Sequence, residues 1–123
     1  MKIRSHKDLE VYQLSFEIAM KIFEISKRFP KEETYSLTDQ MRRSSRSVCG
    51  NLAEAFRKRR YPKAFISKLT DSEGEAAETQ TWLDFALSCN YIKDEEHQEF
   101  NTTYENIIGK IVIMSIHPEN WSW

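Results

Sequence analysis

Residues 37–60 read LTDQMRRSSRSVCGNLAEAFRKRR, and three helical faces are written along this one stretch. At 100° per residue, Leu37, Met41, Val48, Leu52 and Ala55 fall on one side, the apolar stripe of a helix that faces a core. A second line carries Gln40, Arg43, Ser47, Asn51 and Glu54. These polar groups are regularly placed, which predicts a contact with another helix or another subunit. Arg43 and Glu54 stand ~16 Å apart along the axis at 1.5 Å per residue, so each needs its partner on a different element. A third line holds Arg42, Arg46 and Arg57, and the helix runs out into Lys58, Arg59 and Arg60.

The flanking sequence sets the limits of this helix. Ser36 is the expected N-cap, with Asp39 at the third helical position. Phe29-Pro30 closes the helix before it, because the residue preceding a proline is pushed out of the α region. Pro62 opens the helix after it, where a missing N–H is harmless. Four helices are predicted, at about 8–28, 37–58, 62–89 and 94–116, with short tails at 1–7 and 117–123. Asp8 and Asp94 are the expected caps of the first and fourth helices, and Asn90 the left-handed C-cap of the third. Phe65, Leu69, Ser72, Ala76, Leu83 and Leu87 form the core stripe of the third helix, where Gly74 invites a close backbone. Phe100, Tyr104, Ile107, Ile108, Ile111, Val112 and Met114 belong to the fourth. Short connections imply an all-α, left-handed, up-down-up-down four-helix bundle in one domain.

The first helix has an unusual wheel. Leu9, Tyr12, Phe16, Ala19, Met20 and Phe23 occupy one side, and Val11, Leu14, Ile18, Ile22, Ile25 and Phe29 the opposite side. A single small bundle buries one stripe, so the second predicts sharing between subunits of a cyclic homo-oligomer. Val11, Leu14, Ile18, Ile22 and Ile25, with the Gln40–Glu54 line, are the candidate subunit or helix-packing contacts. Burying one such side chain is worth ~1.5–3 kcal/mol, so six make a strong drive to assemble.

Composition narrows the function. In 123 residues, three glycines and three prolines are too few turns for an all-β chain. The net charge is −1, but it is unevenly spread. Residues 37–68 carry nine basic and two acidic side chains, and residues 69–105 carry one and ten. The molecule is electrically polar. MKIRSHKD opens the chain without an apolar run behind it, and no segment reaches the ~20 apolar residues of a membrane span, so a cytoplasmic protein is expected. Cys49 and Cys89 read as two buried reduced thiols. Trp121 and Trp123 read as a tail docked on the bundle.

Several short segments together carry a resemblance. Asp8-Leu9-Glu10-Val11-Tyr12-Gln13, Phe29-Pro30-Lys31-Glu32-Glu33, Leu37-Thr38-Asp39-Gln40-Met41-Arg42-Arg43-Ser44 and Asn51-Leu52-Ala53-Glu54 are the main ones. Glu78, Leu83 and Asn90-Tyr91-Ile92 continue the pattern. The chain resembles, over about residues 8–115, the four-helix bundle proteins encoded in intervening sequences of bacterial 23S rRNA genes, also called the S23 ribosomal protein family. The resemblance implies a homopentameric barrel. It also implies similarity to the accessory variability determinant of diversity-generating retroelements, a pentamer that binds nucleic acid and a reverse transcriptase. Ala55 stands where the family usually has Gly, and Glu75 where Ser is common. The retroelement proteins are strongly basic, and this chain is not.

Enzymatic chemistry finds no carrier. His6, His97 and His117 lack a second ligand at helical spacing, and there is no glycine-rich phosphate loop or G-x-S-x-G turn. No catalytic residue, metal or cofactor is expected. Two readings remain open. In one, Arg42, Arg46, Arg57, Lys58, Arg59, Arg60 and Lys63 bind RNA or DNA phosphates, repeated as a basic ring in the oligomer. In the other, the same cations are a solvated helix end, and the protein is a scaffold for protein partners.

Overall fold

The structure is a computed structural model that describes residues 3–121. Four α-helices account for most of it: α1 Glu10–Ser26, α2 Leu37–Arg57, α3 Pro62–Ser88 and α4 Asp94–Ile116. Short 3-10 turns at His6–Asp8, Lys31–Glu33 and Pro118–Asn120 flank them, and no strand occurs among the described residues. Each helix packs on two neighbours, in the cycle α1, α2, α3, α4 and back to α1.

Cross-helix bonds fix the register. Between α2 and α3, Arg43 Nη2 lies 2.9 Å from Glu78 Oε2, and Lys68 Nζ 2.7 Å from Glu54 Oε2. Between α1 and α4, Arg28 pairs with Glu96 at 3.0 Å and Lys110 with Glu10 at 2.6 Å. Gln80 Nε2 donates to Glu105 Oε2 at 2.8 Å, and His97 meets Asp84 at 2.7 Å, joining α3 to α4. In all three pairs the contacts run in opposite order along the two helices.

The core stripe of α2 lies as expected, with Leu37, Met41, Val48, Leu52 and Ala55 all buried. Phe65, Leu69, Ser72, Ala76 and Leu83 face it from α3, and Phe100, Tyr104, Ile107, Ile111 and Met114 from α4. Leu87, Ile108 and Val112 are only half-buried. Small hydroxyls let α2 and α3 approach closely: Ser44 and Thr79 share a 2.7 Å hydrogen bond, and Ser72 Oγ donates to the Val48 carbonyl at 2.8 Å.

Of the two roles left open for the Val11 stripe of the first helix, subunit contact or helix packing, the burial shows packing within the chain. Val11, Ile18, Ile22 and Ile25 are buried inside the chain and Leu14 half-buried, so these five are packing residues of the subunit's own bundle. The open stripe is Tyr12, Phe16, Ala19, Met20 and Phe23, with Phe16 52% and Met20 47% exposed. Leu9, at the head of that stripe, is buried like the Val11 stripe, so the open part begins after it.

Capping also departs from expectation. Asp8 caps the preceding 3-10 turn, accepting from the Arg4 and Ser5 N–H groups at 2.9 and 3.1 Å, and Leu9 is the N-cap of α1. Asp94 is the first residue of α4, and the Glu96 carboxylate accepts from the Lys93 N–H at 2.8 Å. Ser36 gives α2 no side-chain cap. Glu33 does that work, accepting from the Ser36 hydroxyl at 2.7 Å and the Leu37 N–H at 3.4 Å. Asn90 does adopt φ 63°, and the Tyr91 N–H reaches back to the Ala86 carbonyl at 2.9 Å in a Schellman closure. Gly74 is exposed, with nothing within 4 Å of an added Cβ, so no backbone crosses there. Trp121 packs on the core, and Trp123 lies outside the described residues.

Glu33 also joins the two loops at one end, because its Oε2 accepts from the Tyr91 hydroxyl at 2.8 Å while the Tyr91 ring lies 5.3 Å from that of Phe29. The Ser36 and Tyr91 hydroxyls hold the Glu33 carboxyl below its ordinary pKa, and the carboxylate pushes Tyr91 up to about 12. A lowered carboxylate pKa gives stability that is present above the unfolded value and lost as pH falls through the folded one. Glu33→Gln should therefore lower the thermal midpoint by a few degrees at neutral pH, and the gap to the parent should close below about pH 4, as followed by circular dichroism.

Candidate nucleic-acid interface

The third line of α2 faces away from the core, and its cations fall into two groups. At the corner between α2 and α3, Arg57, Lys58, Arg60 and Lys63 are exposed. The Arg60 guanidinium lies 5.3 Å from the Tyr61 ring centre. Arg59 differs from its neighbours in being 8% exposed. Its Nη1 donates to the Phe56 carbonyl at 2.7 Å, and its guanidinium covers the Phe56 ring at 3.7 Å. Burial lowers its pKa, with Arg57 adding to the effect. Arg59 is thus withdrawn from the expected phosphate-binding set, because its planar head completes the end of α2, whose last carbonyls lack helical partners.

The other group lies nearer the start of α2, about 16 Å back along the axis at 1.5 Å per residue. Arg42 Nε donates to Ser26 Oγ at 2.8 Å, and its guanidinium sits 4.7 Å from the Phe23 ring centre. Arg46 lies 5.8 Å from the same ring, and Lys27 Nζ 4.8 Å. Three cations thus surround one aromatic side chain. An open groove of about 550 Å³ beside them is lined by Asp39, Arg42, Arg43, Arg46, Ser47 and Gly50. Phe23 and Lys27 were not among the residues singled out from sequence for this role. The signal was present in part: two helices joined by a short connection fold back, so the end of α1 meets the start of α2.

The second line of α2 lies along α3. Arg43 and Glu54 find their partners there, in Glu78 and Lys68. Gln40 accepts from Arg43 at 3.0 Å, and Asn51 Nδ2 donates to the Ser47 carbonyl at 2.9 Å. These pairs take up part of the positive charge of α2 and part of the negative charge of α3. Between them sits Glu75, whose Oε1 is buried with no hydrogen-bond partner among the described residues. Desolvation raises its pKa and the Glu78 charge adds to this, with Arg43 opposing.

No group of three or more metal-binding side chains occurs among the described residues. His97 is engaged with Asp84, His117 with Glu119 at 3.5 Å, and His6 packs edge-on to Tyr12 at 4.8 Å. Neither cysteine is paired, and Cys89 is exposed where burial was expected, because it caps the end of α3 at the surface. Cys49 is half-buried, which pushes its thiol up to about 11 and keeps it unreactive. No helix of the described residues is long and apolar enough to cross a membrane.

The model of the 23S rRNA-intervening sequence protein family matches residues 7–112. The chain belongs to this family. Among solved structures it is similar to a protein of unknown function from the S23 ribosomal protein family of Bacteroides thetaiotaomicron. The two share 27% identity and superpose with a TM-score of 0.77, covering 85% of this chain and 94% of the other. No curated protein matches the chain.

Glu75 gives the interface its own test. A raised carboxylate pKa means that stability is full below the unfolded value and is lost as pH rises through the folded one. Glu75→Gln removes the charge and offers Glu78 an N–H, so it should raise the thermal midpoint at neutral pH, with the gain fading as pH falls through the raised folded value and gone below about pH 4.

Proposed function

We propose that this protein is a cytoplasmic, non-enzymatic accessory factor that assembles into a cyclic homo-oligomer of left-handed up-down-up-down bundles and binds nucleic-acid phosphates through a basic ring. The observation that carries the reading is the α2–α3 corner. Arg57, Lys58 and Lys63 are exposed there, and no ion pair holds any of them among the described residues. Cations left outside the protein's own pairing network are the ones able to release counterions from a polyanion. Repeated around a closed ring, one such corner per subunit becomes a focused field. The name of the family, which ties its founding sequences to rRNA genes, agrees with a phosphate-bearing partner.

Two features support assembly. Phe16 and Met20 stand open on α1, and they line a groove of about 790 Å³ against α4 together with Ile25 and Phe100. Its rim is mostly acidic, with Glu17, Glu24, Glu96 and Glu99 against Lys21 and Arg28. In an odd-numbered ring the two sides of each contact differ, so an acidic apolar face suits a different, more basic face of the next copy. A pentamer is the ring implied by the family resemblance. The same groove favours a second reading, a protein scaffold that takes no nucleic acid.

Anisotropy titrations with an rRNA fragment and with duplex DNA, at ~50 mM and ~200 mM salt, separate the two readings. Binding is expected to fall steeply with salt and to tolerate sequence. Arg57→Ala, Lys58→Ala and Lys63→Ala together should flatten the salt slope by ~2–3. No binding at the lower salt would sink the nucleic-acid reading. Light scattering should give a mass several times the 14.6 kDa chain, reduced by Phe16→Glu, and a monomeric parent protein would overturn the assembly.

A further inference from the structure

The cation cluster around Phe23 has a composition that the corner lacks. Lys27 has a carboxylate, Glu24 at 3.2 Å, and Arg42 is anchored on Ser26. Arg46 is exposed, and its recorded contact is the loosest of the three on the ring. No carboxylate pairs with either Arg42 or Arg46 among the described residues, although Asp39 lines the adjoining groove one turn away. On one helix, side chains at i and i+4 are neighbours, so two guanidinium groups are held together without a counter-charge. That is electrostatically unfavourable unless an anion completes it.

The groove is open and elongated along α2, not a closed cup for one small anion. Its lining runs from Asp39 past Arg42 and Arg46 to exposed Gly50, where nothing lies within 4 Å of an added Cβ. By helical spacing, Asp39, Arg46, Gly50 and Arg57 share one outward line. Past Asp39 that line carries cations at Arg46 and Arg57, about three turns apart, which suits the spaced phosphates of a chain. The aromatic ring adds a preference. In the free protein its faces are attended by cations; a phosphate is a stronger partner for an exposed guanidinium than a ring is, because the pairing is bidentate and charge-assisted. Arg46 drawn onto a phosphate takes the loosest of the three cations away from Phe23 and opens that side of the ring to a base, while Arg42 stays on Ser26. Only an unpaired strand can offer one, since duplex bases are already stacked inside.

We propose that Phe23, Arg42 and Arg46 form a subsite for single-stranded nucleic acid, in which Arg46 takes the phosphate and Phe23 stacks the adjoining base. The subsite rests on the phosphate-binding reading given above and adds strand preference to it. The corner cations bind any polyanion, and this cluster distinguishes an unpaired strand from a duplex.

The test is anisotropy at ~50 mM salt with a labelled oligouridylate of about 12 nucleotides and a duplex of the same length. The parent protein should bind the single strand more tightly. Arg46→Ala changes an exposed side chain and should weaken single-strand binding about tenfold while leaving the duplex within about twofold. Phe23→Leu should act the same way, with its thermal midpoint recorded to show that it folds. Arg57→Ala with Lys58→Ala should weaken both probes equally. Binding that depends on Arg57 and Lys58 but is unchanged by Arg46→Ala and Phe23→Leu overturns the subsite and leaves the general reading standing. Equal weakening of both probes by Arg46→Ala also overturns it, reducing Arg46 to one more general cation. No binding to either probe overturns both.

Discussion

The hydrogen bond between Ser44 and Thr79 is buried between α2 and α3, and much of the molecule follows from it. Each hydroxyl also has a carbonyl of its own helix in reach, Glu75 at 2.8 Å from Thr79 and Met41 at 3.3 Å from Ser44, so either can donate across the contact. Buried hydroxyls tolerate this position only because each has a partner, and their small size allows the backbones to approach. Ser72 repeats the arrangement two turns away, donating to the Val48 carbonyl. With the two helices held at this separation, Arg43 and Lys68 reach their carboxylates and Glu75 is trapped between them. The packing thus decides which charges are consumed. Arg43 on the α3 side of α2 is paired with a carboxylate, and Arg46 and Arg57 on its outer side are exposed without one among the described residues.

The α1–α4 side is held differently. Ion pairs at each end, Arg28 with Glu96 and Lys110 with Glu10, span a seam whose middle is an open groove. Each pair has one well-exposed partner and contributes modestly, and the loop clamp built by Glu33 and Tyr91 braces the end of the molecule that contains Arg28. One edge of the bundle is tightly keyed and the opposite edge is looser. The open aromatic stripe of α1 lies on the looser half.

Periodicity was enough to locate the four helices, their core stripes and the left-handed Asn90, because these depend on residues close in sequence. It was also enough to show that Arg43 and Glu54 need partners on another helix. It did not tell which of the two stripes of α1 faces inward, because both are apolar and only the shape of the interior chooses between Ile22 and Phe16. Capping failed in the same way at α2, where Glu33, from the preceding turn, replaces the expected Ser36. In the candidate interface, counting charge gave the basic stretch but not its division. Arg59 and Arg57 are alike in sequence, and one is enclosed while the other is exposed. The Phe23 cluster depends on the meeting of two helices, which no single window of sequence contains.

The enclosure of Arg59 also bears on how the exposed cations are presented. Its guanidinium is clamped between the Phe56 ring and a backbone carbonyl, so the turn from α2 into α3 is pinned from within by one of its own charged residues. Charged loops commonly lose conformational freedom when they meet a partner, and that loss subtracts from affinity. Here the backbone that carries Arg57, Lys58, Arg60 and Lys63 has already surrendered its freedom during folding. The corner meets whatever approaches it as a rigid spur, and the side chains alone remain to be ordered.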